Sequence, residues 1–215
     1  MREIISAVYD AVEKDCLIPA LALTLTIPDI MGKVLYPDLR HKNKNGESGN
    51  RNIGAQYSTW YDKWVADKYR VPWSIPDENK PDSAEGNDEI VGIDSSKWPV
   101  TFTGKMCYDL RCSLLHSGEQ KVYFKGPVES KDFCNIYKLE LRLHACNSYE
   151  QVWPYHGGET VKGNKETRLI GIHIDVGTLC TRICEGADLC LKKCGRNESD
   201  FPVLDIFDLD AWVKR

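Results

Sequence analysis

The chain has 215 residues, of which 42% are hydrophobic and 28% charged, and its formal net charge is −4. That length buries a full core, and the simplest organisation is one domain over residues 1–215. The acidic balance excludes broad, sequence-independent binding of duplex nucleic acid, which needs a basic footprint, but leaves room for a local basic site.

In chain order, Ile4, Ile5, Val8, Val12, Leu17, Leu21 and Leu25 recur near helical spacing, so residues 2 to 27 are expected to form one or two helices bent near Pro19. The most apolar early stretch, residues 16 to 32, is short for a bilayer span and contains Pro19 and Pro28; it is expected in the core, with no membrane involved. Residues 36 to 52 are polar and rich in Gly and Asn, which predicts a loop with solvated basic side chains. From Ala55 to Tyr69, the spacing of Tyr57, Trp60, Tyr61 and Trp64 predicts an amphipathic helix whose aromatic face is core rather than a base-stacking platform.

Residues 71 to 99 are rich in proline and acids and read as a long irregular connection. Thr103 can cap a helix over 104 to 117, which Gly118 can close. The period then changes: Tyr137, Leu139, Leu141 and Leu143 alternate with polar residues, as do Ile170, Ile172 and Ile174 with their neighbours. Two strands are expected, paired antiparallel across a loop from about 147 to 167. A last helix runs from about Asp175 to Lys193 and ends at Gly195, and the tail 196–215 carries enough Phe, Leu, Ile and Trp to dock. The fold class is therefore mainly α: a helical bundle with a small two-stranded antiparallel β insertion before the last main helix.

The stretch MCYDLRCSLLHSGE, residues 106 to 119, holds the chemistry. On a wheel of about 100° per residue, Met106, Cys107, Leu110 and Leu114 form one core stripe. Tyr108 and Leu115 form a smaller apolar band roughly opposite, with Arg111 on one side of it and Cys112 and His116 on the other. A helix apolar on two faces packs against something besides its own core, and a second copy of the chain is the economical partner.

The segment Arg111-Cys-Ser-Leu-Leu-His116, within YDLRCSLLHSGE, resembles the Arg, four to six residues, His motif of the HEPN superfamily. Members are compact helical bundles, often dimeric, and many are metal-independent endoribonucleases of toxin, antiphage or RNA-processing systems. The resemblance implies a homodimer acting on RNA in the cytoplasm, without a cofactor, with Arg111 and His116 catalytic and an antitoxin or nuclease-regulating protein as a further partner. It also implies a 2′,3′-cyclic phosphate product. The residue types suit that chemistry: histidine moves protons near neutral pH, and the arginine fork holds phosphate oxygens.

In active members the residue after the Arg is commonly Asn, Asp or His, whereas here it is Cys112, a weak hydrogen-bond donor one turn before His116. Tyr108, Asp109 and Ser113 are the other supporting candidates. The alternative is an HEPN-like module that binds a nucleotide, RNA or protein without cleaving it.

The nine cysteines are odd in number and follow no secretory leader, so they read as reduced thiols. Cys180, Cys184, Cys190 and Cys194 form a C-x3-C-x5-C-x3-C array. Four thiols suit zinc, but the two pairs face about 120° apart on a straight helix, so core packing is the preferred reading unless Gly186 breaks the helix. His156, between Tyr155 and two glycines, matches no phosphate-binding loop, and His144 and His173 are expected to be structural.

Overall fold

The structure is a computed structural model that describes residues 1–42, 45–69, 102–117, 122–129, 133–143, 152–155, 166–196 and 198–201. The described part is mainly helical, with a two-stranded and a four-stranded sheet. The irregular connection expected at 71–99, the Gly118 stop, His144, His156 and residues 202–215 of the tail lie outside the described residues.

Three helices, not two, occupy the N-terminal segment: α1 (Arg2–Glu13), α2 (Leu17–Thr24) and α3 (Ile27–Leu35). The first break is at Asp15, which takes a left-handed φ of 59°, and the second falls at Leu25 and Thr26. Pro19 is not the bend. It sits in the first turn of α2, where its missing N–H has no intrahelical acceptor to lose, and Pro28 plays the same part in α3. By length and composition Leu17–Leu35 is the one stretch among the described residues apolar enough to cross a membrane, and half of it is buried inside the fold.

The segment expected to be a loop is a β-hairpin, with β1 (Arg40–Lys42) antiparallel to β2 (Ser48–Arg51) and Arg40 directly opposite Arg51. It leads into α4 (Ile53–Trp64), capped by the Asn52 side chain, which accepts from the Ala55 N–H at 3.1 Å. A 3-10 turn over Ala66–Tyr69 follows, so the expected helix to Tyr69 ends sooner and tightens.

Helix α4 is the spine. Tyr57, Trp60 and Tyr61 are fully buried, so the aromatic face lies in the core. Two glycines let neighbouring helices touch its backbone: a Cβ on Gly32 of α3 would lie 2.6 Å from the Gln56 carbonyl oxygen, and one on Gly104 would collide with that of Ser58.

Helix α5 (Gly104–Ser117) starts as expected at Thr103, whose hydroxyl accepts from the Met106 N–H at 3.4 Å. The Gly104 N–H donates to Asp62 of α4 at 2.6 Å, fixing the start of α5 against the spine.

Both expected strands exist, but they pair in parallel. β4 (Phe133–Arg142) and β6 (Glu166–Asp175) are the centre of a mixed sheet, with β3 (Val122–Glu129) antiparallel on β4 and β5 (Val152–Tyr155) antiparallel on β6. The antiparallel insertion is thus replaced by a parallel pair, which needs a long crossover, and β5 lies within it. Leu139, Ile172 and Ile174 face the helical core. Helix α6 (Val176–Cys194) opens on the Asp175 carboxylate, which accepts from the Thr178 N–H at 2.7 Å, and closes on Gly195 at φ 58°.

Because Gly104 has no room for a side chain, Gly104→Ala is expected to cost about 1–3 kcal/mol of stability. Urea unfolding checks it: an unchanged midpoint would mean that α5 does not rest on the α4 backbone.

Candidate functional site

Helix α5 packs chiefly on α4, and Arg111 links it to α3. Cys107 and Leu110 are fully buried, Met106 nearly so and Leu114 half-buried, while Leu115 and His116 are exposed. Cys107 lies 3.3 Å from the Tyr57 hydroxyl, and burial pushes its thiol up to about 12 and the Tyr57 phenol well above its usual range.

Arg111 sits at the edge of that buried stripe. One of its terminal nitrogens donates to the Asp29 carboxylate of α3 at 3.1 Å, and both side chains are 20% exposed. Asp29 is shared. Arg51, the last residue of β2, donates to its other oxygen at 2.6 Å and to its backbone carbonyl at 2.8 Å. The Arg51 Nε turns to the Gln56 side-chain oxygen, and the Gln56 amide donates to the carbonyl of Tyr36 at 2.7 Å and to that of Leu39 at 3.3 Å. Among the described residues the buried Arg111 Nε has no hydrogen-bond partner. Two guanidinium groups therefore share one carboxylate at the junction of α3, α5 and the hairpin, and part of the donor capacity of Arg111 is unused.

The other supporting candidates are dispersed. Tyr108 packs edge-on against Tyr57 with ring centroids 5.4 Å apart, and its phenol is raised by burial and then by a hydrogen bond with Cys112. Cys112, one turn after Tyr108 on the same helix, is half-buried. Asp109 is bonded to Lys105 at 2.6 Å on the exposed face, and Ser113 is half-buried. His116, five residues after Arg111, is turned about 140° from it around the helix axis. Within one chain the two side chains of the motif do not converge; a shared site between them requires a second copy.

Asp29 and Arg51 are the residues that sequence reasoning missed. They lie 82 and 60 positions from Arg111, and no local period links them to α5; the only hint was a basic segment read as solvated.

Helix α6 runs unbroken through Gly186, where a Cβ would lie 2.8 Å from the Val65 side chain and 3.0 Å from the Trp64 carbonyl, so this glycine marks close packing rather than a break. Cys180, Cys184 and Cys190 are buried, Cys194 is exposed, and Cys190 and Cys194 have their sulfurs 3.9 Å apart. Burial raises the Cys180 thiol to about 11 and those of Cys184 and Cys190 to about 12. Among the described residues no group of three or more His, Cys, Asp or Glu is placed to hold a metal ion. His173 lies 3.0 Å from Glu140 across the paired strands β6 and β4.

Replacing Asp29 by Asn leaves two largely buried guanidinium groups facing a neutral amide. The expected loss is about 1.5–3 kcal/mol in urea unfolding, and a double-mutant cycle with Arg111→Gln should return a coupling of at least about 0.5 kcal/mol; strict additivity would deny the pair. Alkylation of the native protein at about pH 8 should modify Cys16 and Cys194 and spare Cys107, Cys180 and Cys184, because the thiolate is the reactive form; peptide mapping reads the result, and uniform labelling would contradict the buried set. No protein-family model, curated protein or solved structure matches this chain.

Proposed function

We propose that this protein is an HEPN-like, metal-independent endoribonuclease that works as a homodimer. The observation that carries the reading is the setting of the motif helix: Asp29 fixes one terminal nitrogen of Arg111, whose side chain stays one-fifth exposed, and the same helix presents His116 to solvent. A guanidinium fixed on one side by a carboxylate is preorganised to take a phosphate oxygen on the other.

In the proposed reaction His116 removes the proton of a ribose 2′-hydroxyl, and the 2′-oxygen attacks the adjacent phosphorus. Arg111 holds the phosphate oxygens as negative charge accumulates. The P–O5′ bond breaks, and a protonated His116 from the second copy supplies the proton to the departing 5′-oxygen. The products are a 2′,3′-cyclic phosphate and a 5′-hydroxyl, with no net change in protons. The 140° separation of the two side chains within one helix is the reason the reading calls for two copies, and the exposed Leu115 beside half-buried Tyr108 offers the apolar contact between them.

A second reading, a non-catalytic module that binds a nucleotide, RNA or protein, is favoured by Cys112 itself, a weak hydrogen-bond donor one turn before His116. A toxin or antiphage role restrained by an antitoxin is the setting that the first reading implies. The seven cysteines with described side chains are all free thiols, which supports a cytoplasmic home.

Incubation of wild type and His116→Ala with total RNA in the presence of EDTA separates the readings. The first expects cleavage by wild type alone, with 2′,3′-cyclic phosphate ends and unchanged dimerisation. Cleavage by both proteins, or by neither, would remove it.

A further inference from the structure

The hairpin and the Arg111 cluster bring together an unusual local charge. Arg40, His41 and Lys42 of β1 are all exposed. Arg40 is directly opposite Arg51 on β2, so the two guanidinium groups leave the same face of the hairpin. Like charges placed directly opposite each other are unfavourable, and the register shifts just after this pair, between Arg40 and Lys42. Arg51 is anchored to Asp29, and Asp29 is already shared with Arg111. Arg40 directs its Nε to the Pro37 carbonyl at 3.3 Å, not to an acid. Arg51 and Arg111 therefore share one carboxylate, and Arg40 and Lys42 continue the basic side chains along the exposed β1, with Glu47 in the turn region and Asp38 before β1 as the exposed acids of the segment. This happens in a chain whose net charge is −4, so the patch opposes the overall balance of the chain.

We infer that the β1–β2 hairpin and Arg111 form one continuous track for the phosphodiester backbone of single-stranded RNA. The choice of RNA rests on the ribonuclease reading; the existence of a polyanion track rests on the arrangement of Arg40, Lys42, Arg51 and Arg111. A phosphate on Arg111 has its neighbours along the strand met by Arg51 and then by Arg40 and Lys42. The hairpin thereby positions the substrate, and the shared carboxylate of Asp29 locks the hairpin base to the helix that carries the motif. The register that places like charges opposite each other is relieved when phosphates lie between them.

The test measures binding of a fluorescent, single-stranded oligouridylate whose 2′-oxygens are methylated, so that it cannot be cleaved, across a series of salt concentrations. For single strands each neutralised phosphate contributes about 0.7 to the slope of log K against log salt. Wild type is expected to bind with a clear salt dependence. Arg40→Gln/Lys42→Gln is expected to bind more weakly with a slope shallower by about 1.4, and Lys42→Glu alone should weaken binding in the same direction. All three side-chain changes fall on the exposed positions 40 and 42, and an unchanged urea midpoint verifies that the variants are folded. Equal slopes for wild type and double variant, no binding by wild type, or an equal loss of slope with polyglutamate as the probe would each overturn the RNA track. Loss of cleavage in His116→Ala with no hairpin effect on binding would leave the ribonuclease reading and remove the track. Hairpin-dependent binding by a protein that cleaves nothing would do the reverse.

Discussion

Contact between helix backbones organises this fold. Helix α4 is approached by α3 at Gly32, by α5 at Gly104 and by α6 at Gly186, and at each point a single methyl group would meet main-chain or branched side-chain atoms. Interiors packed at crystal-like density leave no slack to absorb such a group. The approach at Gly32 sets the height of α3 on the spine, and Asp29 lies one turn earlier on that helix. The approach at Gly104 sets where α5 begins, and Arg111 follows two turns later. Their meeting at 3.1 Å is a consequence of where the two glycines let the helices settle.

The carboxylate of Asp29 then does more than neutralise one partner. It accepts from Arg111 and Arg51 through different oxygens, and Arg51 continues through Gln56 to the carbonyls of Tyr36 and Leu39. The hairpin, the end of α3, the start of α4 and the middle of α5 are tied into one polar network at the edge of the core. Such a network is rigid when its members are satisfied. Among the described residues the buried side-chain atom of this network without a partner is the Arg111 Nε, and the network holds more positive than negative charge. An excess of that kind costs little beside water and becomes favourable in the presence of an anion, which is why the cluster matters more to function than to folding.

Helices announce themselves locally. Thr103 as a cap, a helical segment from about Asp175 and Gly195 as a stop were enough to place the start of α5 and both ends of α6 close to where they are observed. The N-terminal segment misled because proline was read as a bend, whereas Pro19 and Pro28 each sit in a first turn, where proline is tolerated. The alternation at 137–143 and 169–174 marked strands correctly, but period two says nothing about direction. Only the crossover containing β5 makes the pair parallel. The hairpin escaped notice because RHK and SGNR have no apolar alternation to read.

Sequence by itself determined that the chain has a helical core, that an Arg and a His share one capped helix, and that the α6 cysteines lie along a packing stripe; these are local patterns that survive any arrangement of the helices. The tertiary structure alone decided that Arg111 is bonded to a carboxylate 82 residues away and that a basic segment becomes a hairpin with two arginines face to face. Those facts depend on which helices touch, and the touching is controlled by the absence of side chains at Gly32 and Gly104, a signal that has no period and no spacing in the sequence.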